Sequence, residues 1–141
     1  GGKVQFHGVA MKPGRPLLYA TWAGNRHIFG LPGNPLSAMT GLHEFGLPAL
    51  RRLSGLAAAA CRPALYVTLD SPLTSKGGRR RFVTGRLAWT PGGPAVMVVE
   101  SQGSADLVSA GRADGMIGIP PRVRRTEAGT LVAFRPWRPL P

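Results

Sequence analysis

Three short motifs carry the groups with the clearest chemical use. The first is Met11-Lys12-Pro13-Gly14-Arg15-Pro16. Two prolines and a glycine stiffen this turn and hold Lys12 and Arg15 three residues apart. Such a pair clamps a phosphate or another oxyanion, and the Arg15 guanidinium can bind it bidentately. The second is Gly30-Leu31-Pro32-Gly33-Asn34-Pro35-Leu36-Ser37-Ala38, where an apolar strand runs into a turn and the turn into a helical pattern. Asn34 suits the N-cap, and Pro35 suits the first helical position, where its missing N–H costs nothing. A junction of this kind aims free backbone N–H groups and the positive end of a helix dipole at one spot fit for an anion. The third is Ser101-Gln102-Gly103-Ser104, again between a strand and a helical turn. Gly103 lets the backbone approach a ligand, and Ser104 can cap the helix or donate to an oxyanion. Taken singly, each motif also fits a plainer role: an exposed turn, a helix start between buried elements, an ordinary N-cap.

Other chemistries find little support. His7, His27 and His43 have no cysteine nearby, and there is no Gly-x-Ser-x-Gly elbow, so no nucleophilic triad is predicted. His43-Glu44 lacks the second histidine of a zincin, and the six carboxylates do not cluster. A divalent-metal site made wholly within this chain is therefore not predicted. Cys61 is the single cysteine and sits in an alanine-rich stretch, which fits a free thiol in a reducing cytoplasm. Lysine and arginine number 18 against 6 acids, a net charge of +12, which favours anionic partners. Fifteen of the 18 are arginines, scattered apart from clusters at 79–81 and 122–125. No aromatic ladder or helix-turn-helix accompanies them, so nucleic acid is the least favoured partner. No apolar run is long enough to span a bilayer.

These motifs must be held by two kinds of segment. Residues 3–10, 17–22 and 26–31 read as strands, with 11–16 as a turn and Ala23-Gly24-Asn25 joining the last two strands. A helical region covers 36–53, with Leu36, Met39, Leu42, Leu50 and Leu53 expected on one buried face. Gly46 and Pro48 predict a kink, and Gly55 a stop. This is an α/β layer with too few elements to close a domain. A small-residue linker, 56–62, follows. Five β-prone runs at 64–69, 81–89, 95–100, 115–119 and 130–134, parted by glycine-rich turns, predict a small barrel or sandwich. One helical turn is expected within 104–110, and the proline-rich tail, 135–141, is expected along the surface.

Taken together and in order, Met-Lys-Pro-Gly-Arg-Pro, Gly-Leu-Pro-Gly-Asn-Pro-Leu-Ser-Ala, Gln-Gly-Ser and Ala113-Asp114-Gly115 resemble the C-terminal part of the molybdopterin molybdenumtransferase family, related to the C-terminal region of gephyrin. The Gly-Leu-Pro-Gly-Asn-Pro block is the specific part of the match. The resemblance implies an α/β fold class: the C-terminal part of an adenylyltransferase-like, molybdopterin-binding domain at 1–58, then a small all-β barrel at 62–141. It implies insertion of molybdate into adenylylated molybdopterin, with release of AMP and use of Mg²⁺. It also implies a cytoplasmic homodimer and contact with molybdopterin adenylyltransferase.

Carried over by position, Lys12 matches the family's functional lysine, and Pro32 and Pro35 match the prolines that shape its active-site loop. The anion-binding set becomes Lys12, Arg15, Gly33, Asn34, Ser37 and Ser104. Two positions depart from the family. Gly8 stands where a basic residue often precedes the lysine, and Thr84 where an arginine often follows Gly-Arg-x-x-Phe, with Arg81 or Arg86 as the substitutes at hand. The family's acidic signature lies upstream of the matched region and is not in this sequence, so the Mg²⁺ ligands are expected there. The chain accordingly reads as a C-terminal fragment, inactive alone. The alternative, of a different class, is a non-catalytic basic module for an anionic ligand or nucleic acid.

Overall fold

The computed structural model describes residues 1–23 and 25–138. Gly24, in the expected strand-joining turn, and the last three residues of the expected tail lie outside the described residues.

In the first segment, β1 (Lys3–His7), β3 (Leu18–Trp22) and β4 (Arg26–Gly30) form an antiparallel sheet in the order β1-β3-β4. Between β1 and β3, residues expected to be a plain turn contain a short strand, β2 (Met11–Lys12). It does not join that sheet. It pairs in parallel with a strand of the second segment, and Arg80 N–H reaches back to the Ala10 carbonyl at 3.0 Å. A strand of two residues has no pattern of its own, so the distant partner defines it.

The helical region begins as α1 (Pro35–Gly41), passes through a π segment (Leu42–Gly46) and continues as α2 (Leu47–Leu53). Pro48 has no N–H to give and would crowd the carbonyl four residues back. The widened turn, in which Leu47 N–H bonds the Leu42 carbonyl, meets that demand without a break. The run stops at Gly55, where Gly55 N–H bonds Arg52 and Leu56 N–H bonds Arg51, both at 3.1 Å, the paired bonds of a Schellman stop.

The expected apolar face of this helix is corrected by the structure. Leu42, Leu50 and Leu53 are exposed, the last two by 57% each. The buried side is instead Leu36, Ser37, Thr40, Gly41 and Glu44. Leu36 is buried as expected, and small and polar residues beside it let the helix come close to the second segment, while Leu42, Leu50 and Leu53 point away from it.

The second segment is the expected barrel. Its strands are β5 (Leu65–Leu69), β6 (Leu73–Thr74), β7 (Arg80–Thr90), β8 (Gly93–Val98), β9 (Gly115–Ile119), β10 (Arg125–Thr126) and β11 (Leu131–Pro136). The order β7-β8-β5-β11-β9, with β9 pairing back onto β7, closes five strands into a ring without edges. β6 and β10 form a small separate ladder that the sequence pattern did not reveal. Alternate residues point inward, so Val67, Leu69, Val96, Ile117 and Phe134 make a dry centre. One helix, α3 (Leu107–Arg112), lies between β8 and β9.

A second apolar cluster, Met11, Leu17, Phe82 and Met116, joins the two segments. Burial of such side chains stabilises by about 1.5–3 kcal/mol each. Beside it, Thr40 Oγ1 lies 2.6 Å from the Leu36 carbonyl and 3.3 Å from Met116 Sδ. Arg135 Nε of β11 approaches Glu44 Oε1 of the π segment at 3.0 Å, both side chains largely buried. The N–H is not aimed at that oxygen, so the contact is ionic rather than a hydrogen bond.

Two expectations follow. A Cβ on Gly115 would lie 2.2 Å from the Arg135 carbonyl oxygen, where β9 and β11 run together, whereas one on Gly118 would meet nothing nearer than 3.7 Å. Gly115→Ala should lose more than about 2 kcal/mol in guanidinium unfolding and Gly118→Ala less than about 1 kcal/mol; equal losses would refute the close approach. The second concerns charge. Burial raises the Glu44 carboxyl above its ordinary range, and Arg135, then Arg62 and Arg80, pull it partly back. Without Arg135, Glu44 keeps its proton to higher pH. A folded-state pKa above the unfolded one makes stability fall as pH rises through the interval between them. Arg135→Ala should therefore cost about 3–5 kcal/mol at about pH 8 and regain part of it towards about pH 5. Urea titrations across that range check this, and a deficit independent of pH would overturn it.

Candidate functional site

A cleft of about 1110 Å³ opens between the two segments. One wall is the Lys12–Pro16 turn and the loop before α1. The other is β6, the start of β7 and the chain between β8 and α3.

The turn is built for its place. Gly14 has φ +105°, and a Cβ there would lie 2.5 Å from Met11 Cε. Only glycine suits that conformation at that spacing. The Lys12–Pro13 bond is cis. Val9 N–H bonds the Arg15 carbonyl at 2.8 Å and Gly8 N–H bonds the Leu17 carbonyl at 2.8 Å, so the turn is tied at its base. Lys12 and Arg15 both reach the cleft.

The second motif departs from expectation. Asn34 holds the N-cap position and Pro35 the first helical position, but the Asn34 side chain makes no capping bond. Its Nδ2 donates to Ser104 Oγ at 2.9 Å across the cleft. The N–H of Leu36, expected free for an anion, is taken by the Ser104 carbonyl at 3.1 Å. Pro35 has no N–H, so this helix start is largely satisfied from within the protein. Pro32, Gly33, Asn34 and Ser37 line the cleft, and Pro35 does not.

Of the two roles expected of Ser104, helix capping is the one it does not fill. The cap of α3 is Asp106, which accepts from Ser109 N–H at 3.0 Å. That bond, followed by one from Gln102 N–H, holds the Asp106 carboxyl below its ordinary range. The Ser104 hydroxyl accepts from Asn34 and keeps its own hydrogen for a ligand in the cleft.

The barrel wall adds residues that the motifs did not single out. Arg79, Arg81 and Thr74 line the cleft, and Arg81 Nη1 donates to the Thr74 carbonyl. Of the two substitutes considered for the departure at Thr84, Arg81 lines the cleft and Arg86 does not. Thr84 itself turns its hydroxyl to the Val99 carbonyl at 2.6 Å. The arginine cluster at 79–81 was visible in the sequence, but which of its members faces the cleft depends on the pairing of β7 with β2.

The lining residues carry four cations, Lys12, Arg15, Arg79 and Arg81, against one carboxylate, Glu100. Such a surface suits a multiply charged anion. It does not suit a divalent cation: among the described residues no three His, Cys, Asp or Glu side chains come together. The present residues therefore do not fit a Mg²⁺ site, and no step is derived through one. None of the three histidines lines the cleft. His27 Nδ1 meets the Tyr19 hydroxyl at 2.8 Å. His43 packs near Trp137, and burial, with Arg51 adding to it, lowers its imidazole pKa. Among the described residues no helix is long and apolar enough to cross a membrane.

Comparison with known proteins agrees with this layout. The family described as "MoeA C-terminal region (domain IV)" matches residues 66–137, and the one described as "Probable molybdopterin binding domain" matches residues 1–52. The chain is 28% identical to the molybdopterin molybdenumtransferase of Synechocystis, over 94% of this chain and 31% of that protein. It is 36% identical to molybdopterin molybdenumtransferase 2 of Mycobacterium tuberculosis, over 90% of this chain and 30% of that protein. Among solved structures, the molybdopterin biosynthesis moeA protein of Pyrococcus horikoshii superposes with a TM-score of 0.77 at 27% identity, covering 99% of this chain and 33% of that chain. The chain thus spans about a third of the length of the curated relatives it matches. With the first segment and the closed barrel each matched, in order, the chain belongs to the molybdopterin molybdenumtransferase (MoeA) family.

Proposed function

We propose that this chain forms the cationic wall of the site at which molybdate is inserted into adenylylated molybdopterin during molybdenum-cofactor synthesis, with release of AMP. The observation that carries the reading is the single cleft in which Lys12, Arg15 and the Asn34–Ser104 pair meet. Lys12 and Arg15 hold the oxyanion or phosphates by charge. Pro32 and Gly33 shape the loop beneath them, and Ser104 donates a hydrogen bond. Their effect is electrostatic preorganisation, and none of them serves as nucleophile or base. Mg²⁺ would be held by carboxylates from outside this chain. A homodimer, contact with molybdopterin adenylyltransferase and a cytoplasmic location belong to the same reading, and the unpaired Cys61 agrees with a reducing compartment.

The test is molybdenum insertion measured on the chain alone and on the chain joined to the upstream domains of a relative. The isolated chain should give no cofactor and the joined protein should give it. In the joined protein, Lys12→Ala should lower the rate by about 10²-fold, and Ser104→Ala should lower it by about tenfold. Insertion by the isolated chain, or rates unchanged in both variants, would overturn the reading.

A further inference from the structure

Strand β2 meets β7 in parallel, with Met11 opposite Arg80 and Lys12 opposite Arg81. Register partners on adjacent strands stand about 4.8 Å apart along the hydrogen-bonding direction, with side chains on one face. Like charges so placed repel and weaken the ladder. This ladder is only two residue pairs long, and it is the strand pairing that ties the first segment to the barrel. Two cations at that point are a feature for which the fold alone gives no reason. Among the described residues, neither has a carboxylate within ion-pair distance. Arg81 instead donates one N–H to the Thr74 carbonyl, which steadies the guanidinium in the cleft wall with further donors unspent. Both side chains line the same cleft.

We propose that Lys12 and Arg81 grip one tetrahedral oxyanion between them, and that this anion fastens the first segment to the barrel. The proposal rests on the reading of the cleft given above and adds Arg81 and a mechanical role to it. With the anion in place, two repelling cations become partners of one negative group through charge-assisted hydrogen bonds. Without it, the β2–β7 ladder opens more readily. Ligand occupancy and docking of the two segments then strengthen one another, as any ligand selective for the docked form requires. Molybdate and a phosphate of the nucleotide-bearing substrate share the needed shape and charge.

The test follows unfolding of the full chain in sodium phosphate, sodium molybdate or sodium chloride at matched ionic strength, together with hydrogen exchange at the Arg80 amide, which bonds Ala10 across the seam. At least one oxyanion should raise the midpoint and slow exchange at Arg80 by about tenfold. Arg81→Gln should raise the half-saturating concentration by about tenfold or more, whereas Arg86→Gln, on the same strand outside the cleft, should leave it unchanged. Should Arg81→Gln fail to fold, Lys12→Gln, at an exposed position, makes the same test. A response to phosphate alone assigns the grip to the substrate's phosphate, to molybdate alone to molybdate, and to both to a shared subsite. No response to either oxyanion, or one that Arg81→Gln retains in full, overturns the proposal. Lost insertion with an intact anion response would sink only the earlier reading. Intact insertion without that response would sink only this one.

Discussion

The structure turns on a seam between two unlike segments, and that seam is held by very few groups. Two residues of β2 leave their own sheet to join the barrel. Met11, Leu17, Phe82 and Met116 close over each other beneath them. Glu44 is drawn under cover opposite Arg135. A carboxylate in that position is costly unless a cation stays beside it. The pair therefore fixes how the helical region sits on β11 more than it adds stability. If the helix tilted away, one charge would be left buried without its partner.

The seam also explains the distribution of side chains on the helix. Close approach needs small or polar residues, and Ser37, Thr40 and Gly41 supply them. Of the leucines that a periodicity argument places inward, Leu36 is buried, whereas Leu42, Leu50 and Leu53 are left on the open side. Periodicity finds the apolar stripe but not the direction it faces, because that is decided by what the rest of the chain offers for packing. Here the barrel offers Met116 and Arg135, which favour a hydroxyl and a carboxylate.

The five main barrel strands were legible to within about two residues at each end, because alternation and glycine turns are local signals. The strand at Met11–Lys12 and the ladder of β6 with β10 were not, because each is only two residues long and exists through a distant partner. The same divide runs through the cleft. The Lys-Pro-Gly-Arg turn and the Pro-Gly-Asn-Pro loop declare themselves by composition. That Asn34 would bond Ser104, and that the Ser104 carbonyl would take up the helix N–H, depends on chain brought in from the other segment. Resemblance to a family bridged part of this gap, since it named Lys12 and Ser104 together. It pointed equally to Arg81 and Arg86, and only the strand geometry separates them.

Asn34 and Ser104 are 70 residues apart along the chain. The contacts that build the cleft are therefore among the most non-local in the fold, and loops of that length close late, after local turns and hairpins have formed. The barrel ring also closes through distant chain, Leu65 of β5 opposite Phe134 of β11, but the cleft further waits for the two segments to dock. A chain still emerging from synthesis, or one that has lost the docking of its first segment, carries the same cations but no pocket. The oxyanion capture proposed for this cleft is thus confined to molecules that have finished folding.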